Sequence, residues 1–282
     1  MGNSKDKRTP SRRPYAKRSL GQNFLIDAGY VSKIVSALAL TESDDVIEIG
    51  PGRGALTGRV LETGARVTAV EIDTDLAAHL EREFGDEPRF RLVIGDFLEF
   101  DLRDFVPGPP AKVAANLPYY ISTPILRRLF EHRELFSGLV VMLQKEVAER
   151  ITAAPGDSSR GFLTVLIERG FTAEILFDVP AGAFRPVPKV ESAVVRFVTK
   201  KDESGPGTDR QFEELASAAF GQKRKTLKNN LDAARGDLGR QIERLGGSEA
   251  VIRNAAIDPG TRAEALSIEE WRSLSGILFR ED

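Results

Sequence analysis

Residues 46–61 of the chain read VIEIGPGRGALTGRVL. Val46–Ile49 is a strand-like apolar run, the glycines of residues 50–54 favour a sharp turn, and residues 55–61 are compatible with a helix. A strand, a glycine loop and a helix in this order can bind a ligand, because the helix N-terminus presents unpaired N–H groups. The loop is a weak signal alone. Its spacing differs from the Gly-x-Gly-x-x-Gly of dinucleotide folds, and Pro51 removes one N–H donor, so a ligand without phosphates is favoured.

Acidic side chains follow the next two predicted strands. The run of residues 66–70 leads into Glu71, and the run of residues 90–94 leads into Gly95 and Asp96. Any one of these acids is more often a solvated or capping residue. Ligands of open α/β sheets bind at the carboxyl ends of the strands, where an acid can accept hydrogen bonds from both hydroxyls of a ribose. We therefore expect Glu71 and Asp96 to lie in one binding crevice.

The stretch Asn116-Leu117-Pro118-Tyr119 directly follows the apolar run of residues 111–115. Its residue types suit a difficult reaction, the alkylation of an exocyclic amino group on a nucleobase. The lone pair of an exocyclic amino group on a nucleobase is delocalised into the ring. The Asn116 side-chain carbonyl and the Leu117 backbone carbonyl can together accept both N–H bonds of such a group. Pro118 stiffens the turn, and Tyr119 offers a face on which a flipped base can stack. The alternative is an ordinary Asn-x-Pro turn.

Six ordered blocks of this sequence resemble the small-subunit ribosomal RNA adenine N6,N6-dimethyltransferases, a family of enzymes that use S-adenosylmethionine. The match extends from Lys17 to Leu278. The blocks are residues 21–25 (GQNFL), 48–52 (EIGPG), 116–119 (NLPY), 144–148 (QKEVA), 184–190 (FRPVPKV) and 223–227 (KRKTL).

The resemblance implies a fold and a reaction. The fold is α/β, a Rossmann-like class I methyltransferase sheet followed by a small all-helical C-terminal domain. The reaction is methyl transfer from S-adenosylmethionine to the N6 amino groups of two adjacent adenosines near the 3′ end of small-subunit rRNA, giving N6,N6-dimethyladenosine. A role in small-subunit biogenesis would follow, with the precursor of the small ribosomal subunit as the partner. Two alternatives stay open: an adenine methylase of large-subunit rRNA, and a non-catalytic assembly checkpoint factor.

The resemblance also implies site residues. Phe184 would be a second stacking surface opposite Tyr119, although the residue pattern alone favours a core position. Gln22 and Asn23 would lie over the methionine end of the cofactor, although they could instead cap the first helix. The implied catalytic residues are Asn116, Leu117, Pro118, Tyr119 and Phe184. The implied cofactor-binding residues are Gln22, Asn23, Leu25, Gly50, Gly52, Glu71, Asp96, Phe97 and Asn116.

A basic cluster is the predicted contact for RNA. It consists of Lys223, Arg224, Lys225 and Lys228. We expect Arg224 and Lys228 to be i, i+4 neighbours on one helix face, where like charges cost some helix stability and indicate a polyanionic partner. The alternative is an ordinary solvated helix face.

The net charge is distributed unevenly. The sum is −2 with a pI near 5.9, yet the first 18 residues hold seven basic side chains against Asp6 alone. A basic arm on an acidic body suggests a local electrostatic contact with nucleic acid. A disordered solubilising tail and a mitochondrial presequence are the alternatives, the latter weakened by Asp6 and by the lack of amphipathic apolar positions.

Composition limits the class of protein. The chain has 282 residues, 41% of them hydrophobic, which is enough for one main core and a smaller satellite domain. It has no Cys and two His, so disulfides are excluded and no metal site is expected. No stretch approaches the ~20 apolar residues of a membrane span, and an apolar secretory core is missing at the start. We expect a cytoplasmic monomer without membrane contact.

The pattern along the chain predicts four segments. They are a basic flexible arm (residues 1–18), the S-adenosylmethionine-binding catalytic domain (19–200), a linker (201–209) and a helical domain that contacts RNA (210–282).

Several elements follow from local signals. Asp73 is predicted to cap a helix running from Thr74 to about Phe84, and Thr123 is predicted to cap a helix with Pro124 at its first position. Strands are predicted over residues 138–144, 172–179 and 192–198. Helical apolar faces are predicted at Val31, Ile34, Val35 and Leu38, and at Phe212, Leu215, Ala216 and Ala219.

Overall fold

The computed structural model describes residues 22–104, 106, 110–200 and 208–279. The strands in these residues are β1 (Phe24–Leu25), β2 (Asp45–Ile49), β3 (Arg66–Glu71), β4 (Phe90–Ile94), β5 (Ala111–Asn116), β6 (Phe136–Gln144), β7 (Phe171–Val179), β8 (Phe184–Arg185) and β9 (Ser192–Thr199). The helices are α1 (Ala28–Ala37), α2 (Ala55–Leu61), α3 (Thr74–Phe84), α4 (Ser122–Glu131), α5 (Lys145–Ile151), α6 (Phe162–Gly170), α7 (Asp209–Ala219), α8 (Leu227–Asp232), α9 (Gly236–Arg244), α10 (Ser248–Asn254) and α11 (Ile268–Phe279).

Seven strands form one mostly parallel sheet in the order β4-β3-β2-β5-β6-β9-β7. The first five strands in this order, from β4 to β6, run parallel to one another. Strand β9 runs antiparallel to both of its neighbours, β6 and β7. The chain proceeds outward from β2 to β4 and then returns to the other side of β2 with β5. The strand order therefore reverses between β2 and β5, which is where open α/β sheets bind their ligands. The Rossmann-like fold expected from the sequence is confirmed.

The sheet is buried on both faces. Ile47 and Ile49 of β2 belong to one hydrophobic cluster, whereas Val46 belongs to a second. Successive side chains of a strand point to opposite faces, so a strand covered on both sides needs apolar residues on both. Val46, Ile47 and Ile49 supply them and fix β2 at the centre of a helix-covered sheet, with Glu48 as a buried acid among them.

Aspartates cap the first and third helices. Asp27 Oδ1 accepts hydrogen bonds from the backbone N–H groups of Gly29 (2.8 Å) and Tyr30 (3.2 Å). The α1 cap is therefore Asp27, and the capping alternative for Gln22 and Asn23 is wrong. Asp73 Oδ1 accepts from the Asp75 N–H at 3.0 Å, which confirms the predicted α3 cap.

Two predicted boundaries are corrected. Helix α4 begins at Ser122, directly after a single 3₁₀ turn over Tyr119–Ile121, so Thr123 is not its cap. Pro124 is then the third helical residue, where the absent N–H has no intrahelical partner to lose. Helix α7 begins at Asp209, because the Thr208 hydroxyl and the Gln211 side chain cap each other's backbone N–H. The arm of residues 1–18 and linker residues 201–207 lie outside the described residues.

The C-terminal helices pack around a third cluster that includes Phe212 and Trp271. The predicted face of α7 is confirmed, since Phe212, Leu215, Ala216 and Ala219 are all buried. Buried arginines in and just before α6 link these helices to the rest of the chain. Arg160 donates to the backbone carbonyl of Leu266 at 3.2 Å, and Arg169 of α6 donates to Asp209 at 3.1 Å. Among the helices that the structure describes, none has both the length and the apolar character to cross a membrane.

Candidate active site

A cavity of about 1230 Å³, counting its open mouth, lies at the carboxyl ends of β2, β3 and β5. Open α/β sheets bind their ligands at this edge, which makes the cavity the candidate cofactor site. The cavity wall contains predicted site residues from five segments of the sequence. They are Gln22, Asn23, Leu25, Gly50, Gly52, Glu71, Asp96, Phe97, Asn116, Leu117, Pro118 and Tyr119.

The glycine loop lets a ligand approach its backbone. Gly50 has a φ of +66°, and a Cβ built there would have no other atom within 4 Å, so the space beside it is open. Gly54, the N-cap of α2, has a φ of +79°, and a Cβ there would lie 2.4 Å from Phe84 Cε2. Glycine is therefore required at Gly54 for packing and at Gly50 for a left-handed backbone beside the cavity.

Glu71 ends β3 with a carboxylate that two backbone N–H groups hold in place. Gly52 N–H donates to Oε2 at 3.1 Å, and Asp73 N–H donates to Oε1 at 2.9 Å. Burial raises the pKa of this carboxyl, and the two backbone hydrogen bonds oppose that shift. Each oxygen keeps a lone pair that can accept a hydroxyl from a ligand in the cavity.

A second acid, Glu48, lies on the same wall. The Thr57 hydroxyl donates to its Oε2 at 2.6 Å, and its side chain is 1% exposed. Burial raises the pKa of Glu48 to about 7, the Thr57 hydrogen bond lowers it, and the nearby charge of Glu71 raises it further. A cation in the cavity would favour the ionised form of both acids. The sequence analysis included Glu48 in a family block but not among the predicted site residues. Its raised pKa results from burial, which the block alone does not reveal.

Asp96 and Ile72 also line the cavity. Asp96 Oδ1 accepts from the Leu98 N–H at 2.9 Å, which fixes the carboxylate and leaves its other oxygen for a ligand. Ile72 is 49% exposed and offers an apolar surface beside Glu71. Sequence reasoning missed Ile72, although its position directly after the acid at a strand end was a usable signal.

The amide of Asn116 is anchored from the far side of the cavity. Its Nδ2 donates to the backbone carbonyl of Asn23 at 3.1 Å, which leaves Oδ1 as the acceptor for a ligand. Leu117 N–H donates to the Met142 carbonyl at 3.2 Å, so the backbone of the turn is tied to β6. Gln22 Nε2 donates to Asp73 Oδ2 at 3.0 Å. Residues 22 and 23 therefore bridge the cavity from the β3 end to the β5 end.

Two tyrosines follow Asn116 on the cavity wall. Tyr119 is partly buried, and its hydroxyl lies 2.8 Å from Ser192 Oγ. Burial raises the pKa of the Tyr119 phenol, and the Ser192 hydrogen bond partly offsets this. Tyr120 is 57% exposed at the same cavity. Sequence reasoning missed Ser192, because no local signal connects it with a turn 73 residues earlier.

Phe184 presents no open stacking face in this structure, and its stacking role stays a prediction. Its side chain is 0% exposed and does not belong to the cavity wall. Strand β8 pairs with β1, with Phe184 opposite Leu25, and this pairing turns the ring into the second hydrophobic cluster. The core alternative, which the residue pattern alone favoured, is the one observed.

The basic cluster has a different geometry from the predicted helix face. Residues 221–226 form a turn between α7 and α8, so Arg224 is not helical and does not stack on Lys228. Lys223, Arg224 and Lys225 are exposed, whereas Lys228 Nζ pairs with Asp232 at 2.8 Å. The inferred cost of stacked like charges therefore does not exist, and Lys228 is partly neutralised.

Comparison with known proteins shows which family this chain is similar to. A family profile described as "Ribosomal RNA adenine dimethylase" matches residues 14–278. A "Ribosomal RNA small subunit methyltransferase A" of Geobacter metallireducens is 44% identical over 268 residues, covering 94% of this chain and 96% of its own.

Two crystal structures are also similar. The dimethyladenosine transferase of Plasmodium falciparum has a TM-score of 0.76 and 26% identity, with 89% of this chain and 95% of that chain covered. The 23S rRNA methyltransferase ErmE has a TM-score of 0.69 and 26% identity, with 91% and 99% covered.

Proposed function

The chain belongs to the ribosomal RNA adenine dimethylase family, and we propose that its targets are two adjacent adenosines near the 3′ end of small-subunit rRNA. It is an enzyme that uses S-adenosylmethionine to dimethylate the N6 amino group of adenine in rRNA. The observation that carries the methyl-transfer chemistry is the convergence of the anchored Asn116 amide, Tyr119 and the acid Glu71 on one cavity. The choice of small-subunit rRNA is supported by the relative whose name specifies that subunit.

The cavity residues fit the cofactor. Glu71 is held so that both oxygens can accept the ribose hydroxyls, and the backbone beside Gly50 is open to a ligand. Asp96 and Ile72 supply an acceptor and an apolar surface for an adenine ring, while residues 22 and 23 cover the methionine end. Glu48 offers a carboxylate that a positively charged ligand would stabilise.

The target amine is oriented by carbonyl groups. Asn116 Oδ1 and the Leu117 carbonyl accept the two N–H bonds, which holds the nitrogen lone pair out of conjugation with the ring. Tyr119 stacks on the flipped base. S-adenosylmethionine, when bound, supplies a methyl group that its sulfonium already makes electrophilic. We propose that the protein adds orientation and exclusion of water, and needs neither a metal nor a covalent nucleophile.

Dimethylation sets a further requirement at Asn116. After the first transfer the methylated nitrogen loses one proton to water or to a neighbouring carbonyl and retains one N–H, so one of the two carbonyl acceptors must release its partner. The wall beside Asn116 must then accommodate a methyl group when the product is bound again.

The proposed partner is the precursor of the small ribosomal subunit, bound by a monomer. Support comes from the relative in Geobacter metallireducens, whose name specifies the small subunit, and from its coverage of nearly the whole chain. The exposed Lys223, Arg224 and Lys225 supply positive charge for the phosphate backbone. We also propose a cytoplasmic location.

A second candidate substrate is large-subunit RNA. The observation that favours it is the similarity to ErmE, whose name specifies 23S rRNA, over 91% of this chain. The two structural neighbours share the same identity to this chain, so the substrate is decided by experiment and not by fold.

One assay separates the candidates. The purified protein is incubated with S-adenosylmethionine carrying a labelled methyl group and with small subunits that lack the modification, large subunits or naked RNA. We expect N6,N6-dimethyladenosine in the small-subunit RNA alone. Label in large-subunit RNA would favour the second candidate. Stable binding to small-subunit precursors without any label would favour a non-catalytic assembly factor.

A further inference from the structure

Ser192 is the first residue of β9 and is completely buried at the point where its hydroxyl meets Tyr119. Its backbone pairs with Gln144 of β6 on one side and with Val179 of β7 on the other. A residue between two neighbouring strands has little freedom to move, so Ser192 Oγ is a fixed point in the sheet.

Tyr119 is tethered to that fixed point by its hydroxyl. The two oxygens are 2.8 Å apart, which is the usual length of an O–H···O hydrogen bond. The backbone of Tyr119 is held as well, because the Ser122 hydroxyl donates to its carbonyl at 3.2 Å. The backbone and the far end of the ring are thus both constrained, which limits rotation of the ring on the cavity wall.

Such a constraint has a catalytic consequence. A free tyrosine ring would lose rotational freedom when a base stacks on it, and this loss would oppose binding of the flipped adenine. A tethered ring is already in place. Because the reacting nitrogen must be aligned with the methyl group, a small rotation of the stacked base also misplaces the nitrogen beside Asn116.

We propose that Ser192 is a positioning residue that acts through the Tyr119 hydroxyl to orient the target adenine. This inference rests on the proposed function. Ser192 touches neither cofactor nor base, and its contribution is expressed only through the hydrogen bond. Breaking that bond from either end should therefore have the same effect on methyl transfer, and breaking it from both ends should have no larger effect.

The test is a double-mutant cycle with Ser192→Ala, Tyr119→Phe and the double variant, measured as single-turnover methyl transfer to small subunits that lack the modification. Each single variant should lose about three- to tenfold in rate, the usual effect of one hydrogen bond. The double variant should match the single variants. Binding of S-adenosylmethionine, measured by calorimetry, should change less than about twofold, since the cofactor residues are untouched.

Thr199→Val is the matched control, because it removes a hydroxyl hydrogen bond, to the Phe136 carbonyl at 2.7 Å, from the other end of the same strand. It should transfer methyl groups at the wild-type rate. If Ser192→Ala does not fold, Ser192→Cys keeps the volume while weakening the hydrogen bond, and the same cycle is run with it.

Rate losses that multiply in the double variant would overturn the proposal, as would a Ser192 variant with the wild-type rate. An equal loss in Thr199→Val would also overturn it, since the effect would then come from strand stability. These outcomes are distinct from failure of the proposed function, in which the wild-type protein itself would leave small-subunit RNA unlabelled.

Discussion

The carboxylate of Glu71 accepts a hydrogen bond from the Gly52 N–H at 3.1 Å, so the acid at the end of β3 is tied to the glycine loop after β2. The second oxygen of Glu71 is held by the Asp73 N–H at 2.9 Å. The acid that is proposed to bind the ribose therefore also holds the glycine loop in position.

Glu71→Ala should weaken binding of S-adenosylmethionine at least tenfold, because hydrogen bonds to a charged group contribute about 1.5–3 kcal/mol each. RNA affinity should be unchanged. Calorimetric titration measures the first quantity and filter binding the second. Glu83→Ala, on the exposed side of α3, is the control. An unchanged cofactor affinity in Glu71→Ala would assign the ribose to another residue.

Asn116→Ala should abolish most methyl transfer while retaining much of the cofactor affinity. The variant loses the carbonyl that orients the target amine, and removal of one such preorganised group costs about 10²- to 10³-fold in rate. Glu71, Asp96 and the glycine loop still hold the cofactor. Asn254→Ala, at an exposed position of α10, should transfer methyl groups normally. Transfer within threefold of wild type by a folded Asn116→Ala protein would refute the assignment.

Elements with strong local signals were predicted closely from the sequence. Strand β4 and helix α3 have the predicted bounds. Their signals, the hydrophobic periodicity of the segment and the Asp cap of α3, depend only on residues close in sequence. The convergence of Glu71, Asp96 and Asn116 on one cavity also followed, since parallel strands of an open sheet present their carboxyl ends along one edge.

Features that depend on distant contacts were not predictable in this way. Phe184 is in the core because β8 pairs with β1, a contact between segments about 160 residues apart. The start of α4 was misplaced because the turn at Tyr119–Ile121 precedes it. The Lys223–Lys225 turn and the partner of Lys228 are likewise set by where α7 ends and α8 begins.

Glu48 should make stability depend on pH. Its pKa in the folded protein is about 7, against an ordinary value of 4.5, so the folded state favours the protonated carboxyl. That stabilisation is complete below about pH 4.5 and is lost as the pH rises through 7. Glu48→Gln stays neutral, so between pH 5 and pH 8 it should gain about 2–3 kcal/mol of unfolding free energy relative to wild type, at ~1.4 kcal/mol per pKa unit.

Urea unfolding of the protein without cofactor measures this difference at the two pH values. Glu83→Gln, which removes an exposed carboxylate from α3, should show the wild-type pH dependence. A difference between Glu48→Gln and wild type that stays constant from pH 5 to pH 8 would mean that Glu48 is ionised throughout, and would contradict the raised pKa.

The exposed turn of Lys223, Arg224 and Lys225 should provide part of the contact with RNA. Replacing all three by Ala should weaken binding to the small-subunit particle and reduce the slope of log K against log salt by about 0.7–0.9 for each phosphate that is no longer neutralised. Cofactor binding should be unaffected, because none of these residues lines the cavity.

Lys228→Ala is the matched control within the same basic cluster. Its ammonium group already pairs with Asp232 at 2.8 Å, so Lys228 contributes less to counterion release when RNA binds. Its replacement should therefore change the slope less than replacement of any of the three exposed basic residues of the turn. Affinity for the particle is measured across a salt series for the triple variant, Lys228→Ala and wild type. If the slope of the triple variant equals that of wild type, the RNA contact is instead assigned to the basic arm between Lys5 and Arg18, the other cluster of basic residues in the sequence.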